Sequence, residues 1–362
     1  MRTHLTFRRL GRVFLGVAMA ACLTPTALLR AQTEVANTEA YRGAKRAAAA
    51  TFLDRNRSQK ERLDAARKLG YPDAATLPAL LAIGTDRTQS DAIRWEALRR
   101  LRYDDKYLDA VLRILADPED GGEEFDASLI EDLSRRTTFR LPVRDAQRIQ
   151  GVLRKLLSDK RDKVRLYAYR SLVWNHDSLA LNLLTESLRR GEGVPIPLPD
   201  AIELLDDDGS VNYIVTLRPY LNHNDPHVQA RAARALAVDP QSRPKIAELA
   251  VSSNTPEEVR LNALRALASE DDQFAIYAIP LVENAQEDPK IRDAAMQNFV
   301  GRMNYNRVDP ADQIRFAQAV NRLAAEEGPP TDDARKMRET AKQLHVYLRK
   351  AFPEVQKFYE KQ

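Results

Sequence analysis

Apolar residues recur at helical spacing in residues 259–267, a segment with the sequence Val-Arg-Leu-Asn-Ala-Leu-Arg-Ala-Leu. On a helix its apolar side chains share one face, made of Val259, Ala263, Leu264, Ala266 and Leu267. Thr255 suits the helix N-cap, Pro256 the first helical position and Glu258 the third. Because one such helix cannot bury its own apolar face, the pattern favours several of them packed side by side.

This nine-residue pattern returns along most of the chain. Clear copies carry, at their second position, Arg62, Arg94, Arg165, Gln229, Arg260 and Arg292. These positions lie 32, 71, 64, 31 and 32 residues apart, and each long interval contains one degenerate copy. A second apolar segment of helical length accompanies each copy. The period predicts an all-α fold: a right-handed α-solenoid of about nine two-helix repeats over residues 58–350.

Four copies resemble the repeats of the HEAT family. The resemblance lies in Asp-Pro followed by Val-x-x-x-Ala-x-x-Ala-Leu at 225–236, Asp-Pro-x-Ile-Arg-x-Ala-Ala at 288–295, Val-Arg-Leu-x-Ala-Leu-x-Ala-Leu at 259–267 and Ile-Arg-x-x-Ala-Leu at 93–98. The period is shorter than the ~40–47 residues usual for that family, as in its compact bacterial variety. The resemblance covers most of the chain and is specific for fold but not for function.

The remaining segments form the ends and one interruption of the predicted array. Residues 32–57 become alanine-rich and predict an N-terminal capping helix, while residues 191–200 are a proline-rich break. A long amphipathic helix is expected over residues 332–350, and residues 351–362 are expected to be a C-terminal tail. A longer, more polar last repeat suits the end of a solenoid.

The N-terminal segment, residues 1–31, has the features of a secretory signal peptide. A basic stretch precedes the apolar run Val13 to Leu23, which is too short to span a bilayer, and cleavage is expected before Gln32. The alternative is a lipoprotein signal, in which Cys22 would carry a lipid anchor. The predicted location is therefore periplasmic or secreted, with a membrane-anchored lipoprotein as the alternative. No transmembrane segment is expected in the mature chain.

The charge balance changes once this segment is set apart. The whole chain has 56 basic and 52 acidic residues, but residues 1–31 hold five arginines and no acid. The rest is thus near neutral, which argues against a nucleic-acid partner. With one cysteine in the sequence, no intrachain disulfide can form, so packing must stabilise the fold.

The repeated arginines and the nearby aromatic residues are the candidates for partner binding. Stacked repeats would align the arginines, and guanidinium groups suit carboxylates and phosphates. The alternative is structural pairing with acids in the turns, which is the general role of this arginine in the HEAT family. The predicted partner-binding residues are Arg94, Trp95, Arg165, Tyr169, Arg260 and Arg292. Trp174 and Tyr167 also lie in or beside the repeated helices. For all these aromatic residues, packing in the core is the alternative to partner binding.

Metal and catalytic sites find little support in the sequence. The acidic turns at 117–124 and 206–210 lack the spacing of a calcium loop. His223 and His227 flank a turn that suits a helix N-cap better than a metal pair. No His-Glu dipeptide is present, which disfavours the deoxyhypusine hydroxylase activity found on some HEAT-like folds. No metal, cofactor or catalytic residue is expected.

Two functions from different classes remain. The first is a non-enzymatic, exported scaffold that binds a protein or peptide partner of the cell envelope on its concave surface. The alternative is an envelope enzyme or enzyme accessory with a site near residues 191–209.

Overall fold

A computed structural model of the chain describes residues 40–102, 104–137, 142–208, 213–270, 273–305, 307–327 and 331–361. The predicted signal peptide and residues 32–39 of the predicted capping region lie outside these ranges. All regular secondary structure within them is helical, as the sequence predicts. The chain divides into two compact units, Met1–Val152 and Leu153–Gln362.

The described part of unit 1 is a set of consecutive helices. They are α1 (residues 40–53), α2 (Gln59–Leu69), α3 (Leu77–Gly84), α4 (Asp91–Leu98), α5 (Asp105–Leu115), α6 (Glu123–Thr137) and α7 (Val143–Leu156), the last of which ends in unit 2. Helix α1 lies in the predicted capping region. The predicted capping box is present at the start of α2, where Ser58 and Glu61 bond each other's backbone N–H groups.

The helices of unit 1 form two layers. Helices α2, α4 and α6, which carry the nine-residue pattern, pack side by side in a first layer. Helices α3 and α5 pack on each other in a second layer and also contact α4 and α6 respectively. Gly84 allows the close approach of α3 to α4, because a Cβ atom there would lie 2.6 Å from Leu98 Cγ.

Unit 2 continues the same alternation of helices. Its elements are α8 (Asp162–Trp174), α9 (Ser178–Arg190), α10 (Leu198–Asp208), α11 (Ile214–Leu217) with a 3-10 turn (Arg218–Asn222), α12 (Pro226–Ala235), α13 (Arg243–Val251), α14 (Glu257–Glu270), α15 (Phe274–Glu283), α16 (Pro289–Asn304), α17 (Pro310–Ala325), α18 (Asp332–Ala351) and α19 (Pro353–Glu360). Several begin with Asp N-caps followed by proline in the first turn, as at Asp225 and Asp288.

Unit 2 also has two layers. In the first layer α8, α10, α12, α14, α16 and α18 each pack on the next. In the second, α9 packs on α11, and α13, α15, α17 and α19 each pack on the next. This arrangement is that of an α-solenoid of two-helix repeats, which confirms the predicted fold class.

The buried positions are the ones that the nine-residue pattern predicts. The apolar face of α14 is fully buried; its members are Val259, Ala263, Leu264, Ala266 and Leu267. Phe299 of α16 lies between the layers, with ring centroids 6.3 Å from Phe274 and 4.2 Å from Phe316. The small alanines admit the neighbouring helix, and the larger side chains fill the space between layers.

Two segments differ from expectation. Helix α6 begins at Glu123, so the end of the predicted acidic turn at 117–124 is helical, with three acids in the first helical turn where the helix dipole favours them. The predicted tail at 351–362 contains α19, which packs on α17 and α18 and buries Val355 completely. Its apolar residues are too few to show a periodic pattern in the sequence.

Candidate functional site

The arginines at the second position of the pattern are buried in both units. Arg62, Arg94, Arg260 and Arg292 are each at most 5% exposed. In all four, the Nε–H donates to the backbone carbonyl ten residues earlier, near the end of the preceding second-layer helix. The donor–acceptor distance is 3.1 Å for both Arg260 and Arg292. We call these four residues the clamp arginines.

The far end of each clamp arginine reaches the next repeat. Arg260 holds both carboxylate oxygens of Glu287, at 2.8 and 2.7 Å. Arg292 holds both oxygens of Glu326 at 2.8 Å. Arg94 bonds to Asp120, and Arg62 to Gln89. Hydrogen bonding from Arg260 is the largest influence that lowers the pKa of Glu287. Each clamp arginine therefore links the end of one helix to a turn of the following repeat.

The predicted partner-binding residues are thus largely internal. The side chains of Arg94, Arg260 and Arg292 are bound within the fold, so no exposed stripe of guanidinium groups forms at these positions. Arg165 is 20% exposed and donates to the carbonyls of Asp159 and Pro195. These contacts are the ones expected of structural arginines.

The aromatic candidates are also unequal in exposure. Tyr169 is 2% exposed, and burial raises the pKa of its phenol. Trp95 is half-buried, whereas Trp174, at the end of α8, is 61% exposed. Of these three residues only Trp174 presents most of its ring to solvent.

A different set of arginines remains at the surface. These residues occupy the seventh position of the pattern, five residues after the buried one: Arg67, Arg99, Arg170, Arg234 and Arg265. Arg170 and Arg234 are half exposed, and Arg265 is also exposed. Five of the six clear copies have an arginine at the seventh position, but only its place on the helix distinguishes it from an arginine at the second position.

In unit 2 the exposed arginines border an acidic helix. Helix α10 presents Glu203 and Asp206 between α8 and α12 of the first layer. Arg231 of α12 lies 3.3 Å from Glu203, Arg234 lies 3.9 Å from Asp206, and Arg170 of α8 lies 4.0 Å from Asp200. We call Arg170, Glu203, Asp206, Arg231 and Arg234 the charged strip. These loose, partly exposed pairs contribute little to stability, and their arginines remain accessible to a partner.

Two carboxyl groups of α10 have raised pKa values. Burial is the main cause that raises the pKa of Asp206, and the neighbouring acids Asp207 and Glu203 raise it further. Burial likewise raises the pKa of Asp207. The proline-rich break before this helix is packed into the fold, with Ile196 buried and the Pro195 carbonyl bound by Arg165.

The other candidates from the sequence have local partners. In the 117–124 turn, Asp117 pairs with Arg87 and Asp120 with Arg94. His227 Nδ1 lies 2.8 Å from a Glu258 oxygen, across adjacent first-layer helices. Within the described residues, no group of three or more His, Cys, Asp and Glu side chains is arranged to hold a metal ion.

A basic cleft, which the sequence did not predict, lies in unit 1. It consists of two hollows of about 570 and 210 Å³ that share Tyr71. Its basic side chains come from α1 and from the end of α4: Arg42, Lys45, Arg46, Arg99, Arg100 and Arg102. We call these residues and Tyr71 the basic cleft. The two groups of arginines are more than fifty residues apart in the sequence, so only the fold brings them together.

None of the helices in the described ranges has the length and apolar character needed to cross a membrane.

Comparisons with known proteins give likenesses at low identity. No protein-family model matches the chain, and no curated protein matches it. Among solved structures, an engineered protein is 16% identical, with 86% of this chain and 96% of that chain covered, at a TM-score of 0.39.

Two natural proteins are also similar. The complex of CpcE and CpcF of phycocyanin lyase from Nostoc sp. is 19% identical over 77% of this chain and 96% of that chain, with a TM-score of 0.37. Human deoxyhypusine hydroxylase is 14% identical over 86% of this chain and 99% of that chain, with a TM-score of 0.29. Because these TM-scores lie below 0.5, the solenoid assignment rests on the helix contacts described above.

Proposed function

We propose that this protein is an exported, HEAT-type helical-repeat scaffold that binds a protein or peptide partner in the cell envelope and has no catalysis of its own. The observation that carries the proposal is the charged strip of unit 2. There, adjacent first-layer helices hold partly exposed arginines that are loosely paired with half-buried carboxylates. Complementary charges across an interface provide specificity and a faster encounter.

Within α14, one arginine holds neighbouring repeats together and another is exposed at the surface. In α14 the arginine at the second position is buried and bonded to the next repeat, whereas Arg265 is exposed and has no ion pair with a described residue. A repeat whose stacking contacts are internal leaves its outer positions available for recognition. We place the partner on this face of the first-layer helices.

The proposed location follows from the N-terminal segment. Cleavage before Gln32 gives a periplasmic or secreted protein, and lipid modification of Cys22 gives a membrane-anchored one. Both arrangements bring the protein to the envelope.

The proposal is tested by crosslinking in intact cells, followed by mass spectrometry of the captured proteins. One dominant envelope protein, crosslinked through unit 2, is the expected result. Failure to capture any protein above the background of an unrelated exported protein would contradict the scaffold function.

A pair of matched variants then tests the surface. Replacing Arg234 and Arg265 with alanine removes two exposed charges of the first layer and should greatly reduce capture. Replacing Arg335 and Lys336 on α18, which are also exposed, should leave capture unchanged. Equal capture by both variants would exclude the face of α12 and α14.

One observation favours the alternative of an enzyme or enzyme accessory near residues 191–209. The raised pKa values of Asp206 and Asp207 are of the kind that accompanies functional carboxyls. Elemental analysis of the purified chain tests it. A stoichiometric metal that is lost in Asp206→Asn would support this alternative, and a metal-free chain that still captures its partner would favour the scaffold.

A further inference from the structure

The basic cleft of unit 1 carries a concentration of positive charge that the fold neutralises only in part. Arg42, Lys45 and Arg46 follow each other at helical spacing on α1, so they share one face. Arg42 and Arg46 are exposed and form no ion pair with any described residue. The only acid lining the larger hollow is Asp73, whose carboxylate already accepts hydrogen bonds from Thr76.

The smaller hollow is also dominated by cations. Burial, and next the nearby charge of Arg99, lower the pKa of the Arg100 guanidinium. Arg99 and Arg100 share the carboxylate of Glu96, while Arg102 pairs with Asp132. The buried Nε atoms of Arg100 and Arg102 have no hydrogen-bond partner among the described residues. An anion in this hollow would therefore relieve repulsion between neighbouring cations.

Lys45 and Tyr71 join the two hollows. The Lys45 side chain lies over Gly70, which has a φ of 61°, and a Cβ atom on that residue would come within 3.0 Å of Lys45 Cε. Lys45 Nζ lies 4.6 Å from the centroid of the Tyr41 ring. Tyr71 lines both hollows and is 73% exposed. The cations thus form one elongated site with an aromatic side chain in its middle.

We propose that the basic cleft binds an acidic peptide segment of the partner protein, with carboxylates in both hollows and an apolar contact on Tyr71. Guanidinium forks match carboxylates, and tyrosine and arginine are enriched at the energetic centre of protein interfaces. Two joined hollows suit an extended chain with charges at intervals better than one compact phosphate.

This inference deepens the proposed function and rests on it. The charged strip and the basic cleft lie in different units, and each is tested by its own variants. Cleft variants that no longer bind the peptide but still capture the partner would therefore contradict the role of the cleft in partner binding and leave the scaffold function standing.

The test is fluorescence anisotropy with a labelled decapeptide of alternating glutamate and serine, at low ionic strength. A peptide with glutamine in place of glutamate is the control ligand. The full chain is used for every variant, so the five arginines of residues 1–31 contribute equally. We expect saturable binding of the acidic peptide that weakens when salt is raised.

Two variants of the cleft identify the site. The double variant Arg42→Glu/Arg46→Glu should weaken binding by at least about tenfold, because it reverses two exposed charges. Tyr71→Ala should weaken it by about three- to tenfold through loss of the aromatic contact. The matched control is Arg335→Glu/Lys336→Glu in unit 2, which has the same change in net charge and should bind within about twofold of the parent chain.

Several results would overturn the proposal. They are no binding of the acidic peptide, equal binding of the glutamine peptide, and equal weakening by the unit 2 control. Competition by inorganic phosphate at low concentration, or binding to vesicles of anionic lipid that the cleft variants abolish, would assign the cleft to a phosphate or a membrane instead. Circular dichroism and thermal melting establish that each variant is folded.

Discussion

At the scale of single residues, the repeat uses arginine for two opposite purposes. Arg260 and Arg265 belong to the same helix, yet the first is 5% exposed and held by Glu287, whereas the second is exposed. A buried arginine requires a full set of acceptors, since an unpaired charge in the interior is very costly. Because Arg265 lies five positions after Arg260 on the helix, its side chain points to the opposite, solvated side.

Arginine substitutions in α14 should separate these roles. Arg260→Ala leaves the buried Glu287 carboxylate and the Ala250 carbonyl without their donor, so we expect a loss of about 3–5 kcal/mol in unfolding free energy. Arg265→Ala should change it by less than about 0.5 kcal/mol. Urea denaturation of both variants measures the difference, and similar midpoints for the two would contradict the clamp.

Asp239 should make stability depend on pH. Hydrogen bonding from Arg218 is the main cause that lowers its pKa from 3.8 to about 2, so the folded state favours the ionised carboxyl. Its contribution of about 2 kcal/mol is therefore present above pH 4 and is lost as the pH falls towards 2. Asp239→Asn should reduce stability at pH 7, and its deficit relative to the parent chain should shrink as the pH falls from 4 to 2. A deficit that does not vary with pH would argue against this ionisation.

The sequence shows where the repeated arginine lies, with structural pairing only as an alternative to partner binding, and it does not show the acceptor. The acid lies 27 residues after Arg260 and 34 residues after Arg292, because the turns between helices differ in length. At Gln229 the acceptor is the Leu221 carbonyl, eight residues earlier. Fixed spacing within a helix is thus readable from sequence, whereas contacts across a turn depend on the turn's own conformation.

At the scale of elements, the last helix closes the array. Helix α19 covers α17 and α18, and Tyr359 of α19 contacts His345 of α18 edge to face. Solenoids need such terminal elements, because the last repeat has no neighbour to cover its apolar face.

Truncation after Ala351 should therefore loosen the end of unit 2. Removal of α19 exposes the surface that Val355 covers, so amide hydrogen exchange should accelerate in α17 and α18. Exchange in α12 and α13 serves as the internal control and should change little. Unchanged protection of α17 would show that the last helix is dispensable.

The start of α2 offers a smaller test. Ser58 accepts a hydrogen bond from the Glu61 N–H, so Ser58→Ala should cost about 1 kcal/mol. Ser58→Gly is the matched control and should cost only a few tenths of that unit, because glycine suits the N-cap conformation. Thermal melting of both variants measures the difference, and equal losses would indicate that the side-chain cap is not the cause.

Helix boundaries were predictable where the nine-residue pattern is regular. In α14 every buried apolar position follows from the spacing of apolar residues, whereas the burial of Arg260 does not. Helix α10 spans Leu198–Asp208, so its first turn lies within the predicted proline-rich break at 191–200. Pro199 is compatible with the first turn of this helix. The acidic residues at the end of the helix do not continue the spacing of apolar residues, so neither end of α10 can be read from the nine-residue pattern.

At the scale of the whole molecule, the basic cleft shows the limit of sequence reasoning. Its cations come from α1 and from the residues after α4, and neither group is unusual in isolation. The near-neutral charge of the chain beyond residue 31 conceals this local excess. Net charge describes a molecule, but binding depends on how the fold distributes it.

The proposed export of the chain is the remaining whole-molecule prediction, and its N-terminus tests it. Intact mass measurement of protein recovered from the envelope should give a chain that begins at Gln32. A lipid-modified Cys22 at the terminus would instead show the membrane-anchored form, and retention of residues 1–31 would contradict export by signal cleavage.

The clamp arginines also bear on how such a chain can grow during evolution. Each one donates a hydrogen bond to a backbone carbonyl of the preceding helix. It also donates to an acid or amide side chain in a turn of the following repeat. An in-frame duplication of one two-helix unit would copy the arginine, and the adjoining copies would supply equivalent partners on both sides. The new copy would therefore be compatible with its neighbours at once, so the number of units can change by simple genetic duplication without new compensating mutations.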